Sequence, residues 1–165
     1  MKDITDKYAV VKEFKESGRA RYIGVSRTRE PDFTELKNFM RKEKPDFVMI
    51  GFSIMLQGAE EQDVMALAQD LGIAMIGVEA FKAGDDGAFF SLVSDVEIPE
   101  FAKEIGIESW AQYALKWILG NPAMTSVVME TSKPHHIIDN MTAAYGEIPD
   151  QATRKKMSDF VQTLV

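Results

Sequence analysis

Two adjacent histidines, two carboxylate pairs and a hydroxyl-rich tetrapeptide are the side chains in this 165-residue sequence that most invite a chemical role. His135 and His136 are its only histidines. Neighbours on a helix point about 100° apart, so these two cannot chelate one metal as an i, i+4 pair would, and no metal site is expected. They read as partly exposed residues at a helix N-terminus. Glu60/Glu61 and Asp85/Asp86 could in principle do acid–base work, but each pair lies in a polar run that suits a solvated face. The segment TSKP, residues 131–134, offers two hydroxyls, an ammonium and the N–H groups of a helix start, which would seat a phosphate. Capping of that helix by Thr131 or Ser132 is the alternative reading. A last candidate is Ser26, where the run GRARYIGVS (18–26) tips into a short apolar strand and stops on a hydroxyl. GxGxxG, Walker A, HExxH and GxSxG patterns are all absent, which removes the commonest glycine-loop phosphate sites and two common hydrolase signatures. Met49, Met55, Met65 and Met75 read as adaptable core filler rather than a binding groove.

The elements that must position these residues follow from apolar spacing. Lys7 to Ser17, Asp32 to Lys42 and Glu60 to Leu71 carry apolar residues at helical intervals. Each is followed by a short apolar run: RYIGVS (21–26), DFVMIGFS (46–53) and IAMIGV (73–78), with TSVVM (125–129) after a later helix. Such runs suit strands covered on both faces. Gly18 and Gly72 stand at helix-to-strand joints, where a C-cap favours positive φ, and Pro45 marks a third joint. The repeat of about 25 residues fits one βα unit per step and predicts parallel strands with right-handed crossovers. Residues 79–99 lack a period and are expected to form a long loop. Ser109 is the expected N-cap of a helix that stops at Gly120-Asn121-Pro122; further helices are predicted over KPHHIIDNMTAAYG and DQATRKKMSDFVQTLV. In parallel α/β sheets ligands sit beyond the carboxyl ends of the strands, which places the functional search at Ser26/Arg27, Ser53, Val78 to Lys82 and Met129 to Lys133.

Composition limits the rest. A net charge of −7 and a pI near 4.9 oppose binding to phosphate backbones or anionic lipid, so neither nucleic acid nor membrane is an expected partner. No cysteine is present, which excludes disulfides, thiolate zinc sites and thiol nucleophiles from this chain. The N-terminus is charged throughout and no window approaches 18 consecutive apolar residues, so a cytoplasmic protein is expected.

Read in order, GRARYIGVS, DFVMIGFS, LGIAMIGV, YALKWILGNPAMTSVV and HHIIDN resemble the second half of the aldo/keto reductases, over roughly residues 8 to 145. The resemblance implies an α/β fold: a parallel (βα) half barrel of four strands with outer helices, derived from the eight-stranded TIM barrel, as a single domain over residues 1–165. It implies NADP(H) as cofactor and, in the complete barrel, reduction of aldehydes and ketones. Ser26 matches the family serine that hydrogen-bonds the nicotinamide carboxamide. Ser132 and Lys133 fall near the family's 2′-phosphate ligands, and Asp139-Asn140 resembles its adenine-binding Glu-Asn pair. Five positions depart from the pattern: Arg27 replaces an amide-binding asparagine, Met49 a glutamine, Val78 a stacking aromatic, and Met129-Glu130 a proline-glycine. The family's catalytic Asp, Tyr, Lys and His come from the first four strands, so no catalytic residue is expected here, and Tyr8, Tyr22, Tyr113 and Tyr145 are not candidates for the proton donor. An open half barrel would expose two strand edges and an apolar inner layer. A second copy forming a homodimer, a separate partner carrying the first half, or residues 79–99 with the last helix folding over the open side would cover it. The alternative function is a non-catalytic half-barrel binding or interaction module that would self-associate in the same way.

Overall fold

The structure, a computed structural model, describes residues 2–28, 31–83 and 89–165, with residues 2–5 described by their backbone alone. Helix α1 (Lys2–Glu16) leads into β1 (Gly24–Arg27), and α2 (Thr34–Glu43) into β2 (Phe47–Gly51). Helices α3 (Gly58–Glu61) and α4 (Val64–Leu71) precede β3 (Ala74–Val78). After the short helices α5 (Phe89–Leu92) and α6 (Glu100–Lys103), α7 (Trp110–Leu119) feeds β4 (Met124–Val127), and α8 (Pro134–Thr142) and α9 (Gln151–Gln162) close the chain. The four strands lie in the order β1-β2-β3-β4, all parallel, as the helix-then-strand repeat predicts. Gly18 and Gly72 hold φ of 75° and 67° at the ends of α1 and α4, the left-handed turn that a side chain would strain.

The register rows determine which residues share a face. Val25, Val48 and Met75 lie side by side and turn toward the helices, where Val48, Ile50 and Met75 pack fully buried with Leu36, Met40, Met65 and Ile118. The alternate row, Ser26, Met49, Ile76 and Ser126, turns to the other face. Met49 and Ile76 are only half-buried there, and Ser26 and Ser126 are exposed. The expectation of strands covered on both faces is therefore corrected. Among the described residues helices cover one face, and the face that would line a barrel interior is left open.

Three further expectations change. Glu60–Leu71 is not one helix: it breaks at Asp63, which holds φ 60°, and the break is stabilised from outside. The Gln62 carbonyl accepts from Lys37 Nζ at 2.9 Å and its side-chain oxygen accepts from Phe33 N at 3.0 Å, tying this point to the start of α2. Residues 79–99 are not wholly irregular, because Phe89 and Val93 are buried and set one helical turn, and Trp110 Nε1 donates to the Val96 carbonyl at 2.9 Å. Finally, α9 does not fold over the open face. It packs against α7 and α3: Tyr113 Oη donates to the Met157 carbonyl, Trp117 Nε1 to the Arg154 carbonyl, and Arg154 forks onto Glu60 at 2.8 and 2.9 Å.

Candidate functional site

At the carboxyl ends of the strands a cavity of about 740 Å³ opens between Thr28, Met49, Val78, the segment 79–82, and Val128 to Glu130. Its wall is fixed by Ser53, whose buried hydroxyl donates to the Lys82 carbonyl at 2.6 Å. That hydrogen bond turns Ser53 into a brace for the loop after β3 and not a ligand group. Glu79 holds φ 61°, an uncommon conformation for a side-chain-bearing residue, and sits 3.7 Å from Lys82. Ser26 faces the open inner side in register with Met49, which offers no strong hydrogen-bonding group.

A second, more enclosed cavity of about 340 Å³ lies between the post-β3 segment, the start of α7 and the start of α8. Phe81 and Phe90, with ring centres 5.0 Å apart, and Trp110 form aromatic walls, and Thr131, His136, Asp139 and Asn140 supply polar edges. The site is assembled by one relay. Ser109 Oγ caps α7 by accepting from Gln112 N at 3.0 Å and donates to Asp139 Oδ2 at 2.8 Å. Gln112 Nε2 donates to Asp139 Oδ1 at 2.7 Å, so the carboxylate locks α8 onto α7. Glu130 and Phe81 each line both cavities.

The residues picked out by sequence are thus divided. Asp139 and the buried Asn140 come together in the enclosed cleft, while Ser132 and Lys133 are exposed at its rim and do not line it. Ser26 lies three strands away, about 14 Å at ~4.8 Å per strand. Neither hydroxyl of TSKP caps α8: Thr131 Oγ1 accepts from Lys133 N at 3.2 Å, just before the helix, and Lys133, the N-cap residue, makes no capping hydrogen bond with its side chain. His136 Nδ1 lies 3.4 Å from Thr131 Oγ1, and the His135 and His136 rings meet edge to face at 4.4 Å. Among the described residues no three metal-ligating side chains cluster. Asp85/Asp86 lies outside the described residues. Phe81, Phe90, Trp110 and His136 were missed as lining residues, although His136, Asp139 and Asn140 share one face of α8 by helical spacing.

The tyrosines stay away from both cavities. Tyr113 and Tyr8 are buried among helices, and that burial holds both phenols above their ordinary range. Tyr22 and Tyr145 are exposed elsewhere. Lys116 is buried too; desolvation lowers its ammonium, which donates to the Tyr145 and Glu147 carbonyls at 2.7 and 2.6 Å and pins the link between α8 and α9.

The family model of the aldo/keto reductases matches residues 2–85, just over half of this sequence. The chain belongs to the aldo/keto reductase family. The family match covers α1 to β3; the fold extends the likeness to the rest. A thermostable aldo-keto reductase solved with the inhibitor epalrestat superposes with a TM-score of 0.66 at 18% identity, over 95% of this chain and 53% of its own. The holo form of an aldo-keto reductase from Bacillus halodurans gives 0.64 at 18% identity, over 93% and 53%. An aldo/keto reductase from Klebsiella pneumoniae, solved with NADP and acetate, gives 0.67 at 18% identity, over 91% and 51%. This family member therefore spans about half the length of the solved aldo/keto reductases it matches. No curated protein matches it.

Tested against a dinucleotide, the two ends of the site differ. The enclosed cleft fits an adenosine: it has the volume, aromatic walls and hydrogen-bonding edges that a purine and ribose need. The open cavity does not fit a nicotinamide in the same way. The Met49 thioether stands beside Ser26, the cavity is lined by Val78 and Val128 without Ser26, and the Glu130 carboxylate would repel a pyrophosphate there.

Proposed function

We propose that this chain is the nucleotide-binding half of an NADP(H)-dependent aldo/keto reductase, a single domain that binds the adenosine end of the cofactor and is inactive alone. Carbonyl reduction belongs to a complete barrel, in which another half supplies the proton donor and its partners. The observation that supports this reading is the aromatic-walled cleft holding Thr131, His136, Asp139 and Asn140. In a complete barrel NADP(H) would supply the hydride. This chain's residues would hold the purine against Phe81, Phe90 and Trp110 and keep α8 fixed to α7 through Asp139.

Tryptophan fluorescence tests it directly. Trp110 lines the cleft, whereas Trp117 is buried against Phe52 and Arg154 and serves as an internal reference. NADPH should quench the protein, and Trp110→Phe should remove most of that quench. Lys133→Ala should weaken NADPH more than NADH, since the rim ammonium would meet the 2′-phosphate. Absence of any quench at millimolar NADPH would sink the reading.

A second reading, a non-catalytic half-barrel module, is favoured by one feature: Met49 and Val78 line the open cavity where the resemblance puts the nicotinamide, and Glu130 lines both cavities. With a first-half chain supplied, a nucleotide fragment that ends at the adenosine ribose and phosphates, binding as tightly as NADPH, would favour this module.

A further inference from the structure

We infer, resting on the nucleotide-binding reading above, that the enclosed cleft reads its purine through the Asn140 amide alone and takes 6-oxopurine as well as 6-aminopurine nucleotides. This departs from the joint reading by carboxylate and amide that the resemblance implies.

Buried polar side chains in folded proteins are hydrogen-bonded, and an exception calls for a reason. Here Ser53, Gln112, Lys116, Asn121, Arg154 and Ser158 are buried, and each side chain is bonded. Asn140 is only 5% exposed, yet among the described residues its side-chain amide has no hydrogen-bond partner. No side-chain oxygen or nitrogen among those residues is both sealed and unbonded, so the Asn140 amide is reachable, and Asn140 lines the cleft. An unpaired donor and acceptor set beside aromatic walls suit a flat ligand that brings its own acceptor and donor.

Asp139 is committed elsewhere. Its Oδ2 accepts from Ser109 Oγ at 2.8 Å and its Oδ1 from Gln112 Nε2 at 2.7 Å, so both oxygens are turned onto α7. The Gln112 amide is fixed at its other end too, because its Oε1 accepts from Glu108 N at 3.0 Å. Glu130, the other carboxylate on the cleft, is exposed and keeps its hydration.

That division decides which base is accepted. An ionised carboxylate only accepts, so it favours the 6-amino group of adenine and repels the 6-oxo group of hypoxanthine or guanine. A carboxamide sets one acceptor and one donor side by side. It pairs with the N6–H and N1 of adenine and, after a half-turn about its last bond, with the O6 and N1–H of a 6-oxopurine. Bonds at both ends forbid that half-turn for Gln112, and no such bond holds Asn140 among the described residues. Phe81, Phe90 and Trp110 meet the face of either base alike, since stacking is tolerant of base identity.

Titrating the purified chain with NADPH and with its counterpart carrying hypoxanthine in place of adenine, followed by tryptophan quench, tests this, because the two ligands differ only at the purine edge. Dissociation constants within about fivefold are expected, since each base makes the same two bonds. A larger preference for NADPH overturns the relaxed reading, because it requires a partner that rejects the 6-oxo group. Asn140→Asp makes the edge acceptor-only and should weaken the hypoxanthine form by about tenfold or more relative to NADPH; an unchanged ratio overturns Asn140 as the reader. Should that variant not fold, Asn140→Leu decides: both ligands should weaken together by about tenfold, and unchanged binding overturns the assignment. NADPH binding without the hypoxanthine form overturns the relaxed reading and leaves the nucleotide-binding half standing. Binding of neither overturns both.

Discussion

The two faces of the sheet are built from the same four strands yet live in different environments. On the helix side Val48, Ile50 and Met75 are fully buried in a core with residues of α2, α4 and α7. On the other side Met49 and Ile76, one residue along each strand, remain half-buried, and the row ends in exposed serines. Composition hardly differs between the rows; what differs is whether this chain provides something to pack against. The helix face is a finished core and the inner face is half of one.

The sharpest way to break that comparison is to truncate one residue on each face. Ile50→Ala should cost about 2–5 kcal/mol in urea denaturation, since a fully buried aliphatic leaves a cavity. Ile76→Ala should cost about 1 kcal/mol, since a half-buried side chain already meets water in the folded state. Equal costs in dilute protein would mean that the inner face is already covered. Next, Arg154→Met tests how far the finished core extends into α9. The guanidinium is buried over Trp117, its ring centre 4.4 Å away, and forks onto Glu60, so its loss should cost about 3 kcal/mol, the lower end for a broken pair because Glu60 still reaches water. Calorimetry would show it as a lowered Tm. A smaller effect is expected at the joint between core and cleft, where Ser109→Ala removes the α7 cap and one bond to Asp139: about 1 kcal/mol of stability, together with weaker nucleotide binding. A stability loss with unchanged binding would separate the relay from the cleft.

The smallest effect concerns the β1 edge. Lys15 and the Ile23 N–H hold the Asp46 carboxyl below its ordinary range, and a hydrogen bond from Lys12 does the same for Glu43, tying α1 to the sheet. A carboxyl depressed in the folded state stabilises fully above the unfolded-chain value near pH 4, and that contribution is lost as pH falls through the lower folded value. Asp46→Asn should therefore destabilise at pH 7, and the difference from the parent should shrink in acid. A difference that stays constant down to pH 2 would assign the effect to packing.

Much of the fold is readable from short-range pattern. The 25-residue repeat, the glycines at φ 75° and 67°, the Ser109 cap and the parallel order all depend on residues close in sequence. The site is readable only in part. Asp139 and Asn140 stand out as a pair, but the aromatic walls come from residues 81, 90 and 110, and no local rule links them to α8. Ser132 and Lys133 suggest a phosphate seat by type, and their backbone leads them to the rim.

Sequence alone determined most of the helix and strand pattern, the likeness to the family and the exclusion of thiol chemistry from this chain, because these depend on residue identity and near-neighbour spacing. Tertiary structure alone decided three other points: that the helix at Glu60–Leu71 breaks under ties from Lys37 and Phe33, that Phe81 and Glu130 line two cavities at once, and that one face of the sheet is left open among the described residues. Each depends on what stands across from a residue in space, and an apolar strand position reads the same whether its opposing layer is present or missing.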